Sequence, residues 1–139
     1  MKEIKLSDER KAQISERARR EGGYFPWYFA RRQNNHEIFL MLAEELKKRG
    51  CRVLCPNLNQ DEKIEYIRVF KEGKGTIVGF GTVPFRWYIG NSVSGDEYGL
   101  VGEYGWDLPF DADEVIEKLH PIRPSKYDEY RFEHFYTEM

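Results

Sequence analysis

The chain has 139 residues, 40% of them hydrophobic, 15% aromatic and 33% charged, with a formal net charge of −2. That length fits a single domain, residues 1–139, whose folding takes roughly two-thirds of the unfolded surface out of water, and so many aromatics argue against disorder. No apolar run approaches the ~20 residues of a membrane span, and the first residues lack the apolar stretch of a secretory signal, so the expectation is a cytoplasmic protein without membrane contact.

Ser7–Glu21 reads as a polar helix within an N-terminal unit of residues 1–22, capped by Ser7 or Asp8 and ended by Gly22-Gly23. Its apolar stripe is only Ala12, Ile14 and Ala18, so it packs lightly or on something outside the chain. After the aromatic block Tyr24–Phe29 and Arg31-Arg32, a second helix opens at Asn34 or Asn35, with Asn34 and Glu37 at capping-box spacing. Ile38, Phe39, Leu42, Ala43 and Leu46 give it a broad apolar face, and Gly50 stops it.

The middle of the chain reads as strands: Cys51–Cys55, Lys63–Lys71 (with helix as the alternative there), Thr76–Val83, Phe85–Ile89 and, more weakly, Tyr98–Tyr104. Glu72-Gly73-Lys74-Gly75 marks a hairpin loop, and Pro84 demands an edge, bend or bulge. Gly79 and Gly81 share one face and signal sharp curvature or close backbone approach. Asp111 and Glu114 then cap a third helix, Ala112–Leu119, with Phe110 and Val115 at staple spacing and His120-Pro121 closing it. The tail, residues 124–139, carries Tyr127, Tyr130, Phe132, Phe135 and Tyr136, enough aromatic surface to require docking, with a short helix within reach. The order ααβββββαα predicts an α+β fold. Its antiparallel sheet has about four or five strands, with the N-terminal helices and a C-terminal helix packed against it on one face.

The near-neutral total hides a split. Arg10, Lys11, Arg17, Arg19, Arg20, Arg31 and Arg32 crowd residues 10–32 against Glu16 and Glu21. From Trp87 to Glu117 there is no Lys or Arg, while Asp96, Glu97, Glu103, Asp107, Asp111, Asp113, Glu114 and Glu117 accumulate. Such asymmetry constrains surfaces and partners rather than fold.

The block Tyr24–Arg32 is the leading candidate site, with Arg17, Arg20, Trp27, Tyr28, Arg31 and Arg32 as its binding residues. Aromatic faces stack on unpaired bases and arginines take phosphate or ring faces, which fits single-stranded nucleic acid. The plainer expectation is that Phe25, Trp27 and Phe29 anchor a core between two helices, because large rings usually go inside. The acidic stretch, with Asp96, Glu97, Glu103, Asp107, Asp111 and Asp113, reads as a solvated acidic face that steers association, since no calcium-loop spacing is present.

Asp61, Glu72 and Lys74 match the D-x₁₀-E-x-K spacing of metal-dependent nucleases, although Glu72 and Lys74 fall in a turn rather than on a strand. Cys51 and Cys55 stand about 13 Å apart on a strand, beyond disulfide reach, and no second ligand pair accompanies them, so reduced thiols are expected rather than a metal site. A Cys–His pair with His36 is left open, and no nucleophile-elbow or phosphate-loop motif is present. No cofactor is implied.

Compact, Tyr-rich and motif-poor, the chain resembles in composition small immunity proteins and mobile-element-encoded inhibitors, a likeness that assigns no residues. The expectation is therefore a binding module that acts on another protein. Single-stranded nucleic-acid binding is the rival reading and a metal-dependent nuclease the third. Nine Tyr, three Trp and opposed charge patches also suggest head-to-tail self-association.

Overall fold

The computed structural model describes residues 4–82, 85–90, 96–98 and 106–139. Among these, helix α1 (Asp8–Glu21) starts where Ser7 accepts a hydrogen bond from the Arg10 amide, and ends at Gly22. A Cβ at Gly22 would collide with the Ala18 carbonyl and with Pro26, so glycine is what allows the tight turn into α2 (Pro26–Lys48). Ile14 and Ala18 are the buried face of α1, and they pack on α2 within this chain.

Helix α2 begins at Pro26, eight residues before the expected Asn34. Pro26 supplies the first-turn φ at no hydrogen-bond cost. The buried stripe explains the rest. Counting back in fours from Leu46, Leu42 and Ile38 reaches Asn34 and Ala30; from Ala43 and Phe39 it reaches Asn35 and Arg31. All are buried, so the polar residues belong to the interior of one long helix. Asn34 caps nothing: its Nδ2 donates to the Trp106 carbonyl at 2.8 Å, a tertiary bond that overrides its local preference for a helix start.

The sheet is antiparallel, in the order β5–β4–β3–β2–β1–β7. Its strands are β1 (Arg52–Pro56), β2 (Tyr66–Lys71), β3 (Lys74–Thr82), β4 (Phe85–Ile89), β5 (Asp96–Tyr98) and β7 (Tyr136–Glu138), while the two-residue β6 (His120–Pro121) pairs with the start of β3. Two of these, β6 and β7, come from segments read as a helix stop and a tail. The β2–β3 hairpin turns on Glu72 and Gly73, both at positive φ, the backbone that matches strand twist in a tight hairpin. Gly79 marks the expected close approach, because a Cβ there would strike the Tyr88 ring on the neighbouring strand. Pro84 and residues 99–105 lie outside the described residues, so the expected bend at Pro84 and most of the Tyr98–Tyr104 strand do as well.

One sheet face carries Val53, Ile67, Val69, Val78, Trp87 and Ile89, all buried with Phe39 and the rest of the α2 stripe. Phe110, just before helix α3 (Ala112–Glu117), and Val115 within it join this core, with Asp111 accepting from the Glu114 amide as the helix cap. The other face carries Tyr66, Arg68 and Phe70 from β2. There α4 (Lys126–His134) packs with Phe132, whose ring meets Phe70 edge-on at 5.3 Å between centres. The helices therefore lie on both faces of the sheet, not on one. The cause is the pattern of β2, whose two faces are both apolar enough to demand a cover.

Tyr136, on β7, ties α4 to this second face. Its hydroxyl lies 2.8 Å from that of Tyr66 and accepts from Arg68 Nε at 3.0 Å. Burial, with the Tyr136 hydroxyl adding to it, pushes Tyr66 up to about 12. Burial opposes the shift at Tyr136, but hydrogen bonds from Tyr66 and Arg68 outweigh it and lower the phenol. The aromatic tail docks through Phe132, Tyr136 and the β7 ladder, while Tyr127, Tyr130 and Phe135 stay exposed. Among the described residues no helix is long and apolar enough to cross a membrane.

Candidate interaction surface

The turn joining α1 to α2 holds four large rings at the surface. Tyr24 is 97% exposed, Phe25 66%, Trp27 48% and Tyr28 37%. The expectation that Phe25 and Trp27 anchor a core fails here. These positions precede the apolar stripe of α2, which begins only at Ala30. Phe29 alone of this run packs partly on the core. Trp27 meets Tyr28 edge-on at 6.1 Å between ring centres.

Arginines flank these rings. The Arg32 guanidinium carbon lies 5.6 Å from the Tyr28 ring centre, and that of Arg17 lies 5.6 Å from Phe29. Phe25, Tyr28, Phe29, Arg32, Asp61 and Lys63 line a hollow of about 250 Å³ beside the turn. Arg32 has no ion pair among the described residues, and its Nε is buried without a hydrogen-bond partner. The other surface cations of the block are engaged on α1 itself. Arg17 bonds Glu21 at 2.8 Å and holds its carboxyl below the usual range, Arg19 pairs with Glu16, and Arg20 stands 3.9 Å from Glu16.

Arg31 is not part of this surface. It is buried, with its guanidinium 4.3 Å from the Phe80 ring centre, 5.0 Å from Trp106 and 5.9 Å from Trp87. Burial pushes its pKa down to about 10, against the pull of Asp107. The α2 stripe dictates this inward position, which a count of charges along the sequence cannot show.

At the described Asp107 and Leu108 the acidic segment does not stand opposite the basic one. Ile4 bridges to Leu108, and Lys11 reaches Asp107 at 2.8 Å, so the two stretches meet side by side. Asp113 pairs with Arg49 at 2.7 Å, and Asp111 is spent as the α3 cap. Asp96 and Glu97 supply backbone to β5, and Glu103 lies outside the described residues. At Asp107, Asp111 and Asp113 the expected acidic face is thus largely absorbed by partners within the chain.

The remaining chemical candidates come apart. Asp61 and Glu72 sit beyond opposite ends of β2, a strand about 17 Å long, too far to share one metal ion. Among the described residues no group of three or more His, Cys, Asp or Glu side chains could hold a metal. Cys51 and Cys55 are free and buried, and burial raises both thiols. Cys55 and His36 line the same groove beside α2, yet neither is activated. The His36 Nδ1 accepts from the Ile64 amide at 3.1 Å, and burial, then Lys63, lower its pKa, so it supplies no imidazolium to draw out a thiolate.

Comparison with protein-family models, with curated proteins and with solved structures finds no match to this chain.

Proposed function

We propose that this protein works by binding another protein through the aromatic turn between α1 and α2. The observation that carries the reading is the run of exposed rings, Tyr24, Phe25, Trp27 and Tyr28, beside Arg32, which has no ion pair among the described residues. Tyr, Trp and Arg are the residues that dominate protein interfaces, since they offer large contact area at small entropic cost. A cluster of this kind at the surface of a small domain marks an interaction site more often than chance exposure.

Single-stranded nucleic acid fits the site less well. Its affinity comes mainly from free cations against phosphates, and three of the arginines here already face glutamates on their own helix. The free, buried thiols Cys51 and Cys55 support a reducing, cytoplasmic setting.

A photo-crosslinking side chain placed at Tyr24, compared with one at Tyr127 on α4, tests the reading in the native cell. A protein adduct that forms from position 24 and disappears with Trp27→Ala supports it. Adducts of equal strength from both positions overturn it. So does tight, salt-sensitive binding of labelled single-stranded oligonucleotides. Light scattering after size exclusion identifies the case in which the partner is a second copy of the chain.

A further inference from the structure

The second face of the sheet carries a feature unrelated to the aromatic turn. Where β2, the β6 segment and the start of α4 meet, a groove of about 260 Å³ opens. Arg68, Phe70, Ile77, His120, Arg123 and Phe132 line it. Its volume lies just under the range typical of drug-sized ligands, so it suits a compound of about one ring.

Its charge is unbalanced. Arg10, Arg17, Arg49 and Arg52 each pair with a carboxylate. Arg68 and Arg123 have no ion pair among the described residues. Arg68 is half-buried and held in place, with Nε donating to Tyr136 and its guanidinium carbon 5.2 Å from the Phe132 ring centre. That geometry leaves the two terminal nitrogens of its fork without a described partner. Asp128, the acid on the groove wall among the described residues, feels the charge of Arg68 but makes its hydrogen bonds within the α4 capping box. Its Oδ2 accepts from both the amide and the hydroxyl of Ser125 at 3.0 Å, closing the α4 capping box. The bond from the Ser125 amide is the chief cause holding that carboxyl low. Among the described residues two arginines thus face the groove against a single carboxylate, which is hydrogen-bonded into a helix cap, and Phe70 and Phe132 form an apolar wall beside them.

We propose that this groove binds a small anion carried on a planar ring. A phosphate monoester or carboxylate sits between Arg68 and Arg123, and the ring lies against Phe70 and Phe132. A preoriented guanidinium with free N–H donors takes two anionic oxygens side by side, and Arg123 closes the charge from the exposed rim. The ring replaces water on the Phe70–Phe132 wall.

Titration of the full chain with phenyl phosphate, benzoate, inorganic phosphate and phenol, followed by amide NMR shifts, tests this. Phenyl phosphate or benzoate is expected to move the amides of Gly75, Ile77, Ile122 and Phe132. Which of the two binds more tightly identifies the anion. Arg123→Gln is exposed and leaves the fold intact, and it should weaken binding roughly tenfold, the loss expected for one charge-assisted hydrogen bond. Arg68→Gln should weaken it at least as much. Absence of shifts at millimolar concentration overturns the proposal, as does undiminished affinity in Arg123→Gln. Phenol binding as well as phenyl phosphate removes the anion from it, and inorganic phosphate binding as well removes the ring.

Discussion

The two halves of α2 put the same kind of side chain to opposite uses. In the first turn Trp27 and Tyr28 stand at the surface, whereas three turns later Phe39 is fully buried against Trp87, at 5.5 Å between ring centres. Between them lies a belt of buried polar residues, Arg31, Gln33, Asn34 and Asn35, of which Arg31 and Asn34 reach Trp106. Aromatic content by itself therefore says little about burial. What decides is whether the position falls on a stripe that the sheet can cover. The buried stripe of α2 begins only at Ala30, and the rings before it stand at the surface.

The sharpest way to break this comparison is Phe39→Ala. A fully buried ring lost from this core should lower stability by about 3–5 kcal/mol, read from urea or thermal unfolding. A loss below about 1 kcal/mol would mean that the buried half of α2 is not the stabilising half.

Asn34→Ala probes the polar belt. The variant leaves the Trp106 carbonyl without its buried donor, which should cost about 1–3 kcal/mol in the same measurement. Replacement without loss would show that the belt is incidental to the docking of the Trp106 segment.

The third test uses pH. Glu37 receives Arg10 Nε at 2.6 Å, Arg10 Nη2 at 2.9 Å and Gln33 Nε2 at 2.8 Å, clamping α1 to α2. Burial would raise its carboxyl, but the bonds from Arg10 and Gln33 outweigh burial and hold it below the ordinary range. A carboxyl lowered on folding contributes stability that is fully present above its unfolded value, about 4.3, and is lost as pH falls through the folded value. Glu37→Gln should therefore flatten the acid limb of stability below about pH 5, when urea midpoints are compared across pH. Parallel limbs for the two proteins would show that the clamp contributes nothing.

The smallest effect is expected in the exposed half. Tyr24→Ala should change unfolding stability by no more than about 0.5 kcal/mol while removing partner binding. A large loss of stability there would erase the distinction between the two halves.

Local chemistry made much of the fold legible. The caps at Ser7 and Asp111, the Gly50 stop, the Glu72-Gly73 turn and the Phe85–Ile89 strand are all set by neighbours within a few residues. What stayed hidden depends on distant partners. Asn34 reads as a cap until Trp106, far along the chain, claims its amide. Tyr136–Glu138 is too short to announce a strand, and becomes one only because β1 offers an edge. The same holds for the candidate site: the rings and Arg32 were legible as a block, but exposure had to come from the fold. Arg31 could have been set apart from them, since stepping back in fours from Ala43 and Phe39 arrives at it.

The pairing of β7 with β1 also bears on synthesis. Arg52 and Glu138, which bridge the two strands, are 86 positions apart. A nascent chain leaving the ribosome thus carries β1 with one side bare until the α4–β7 segment emerges. Bare strand edges are templates for pairing with other chains, and contacts this remote in sequence close slowly. A segment made long after β1 is therefore the one that covers this edge of the growing sheet.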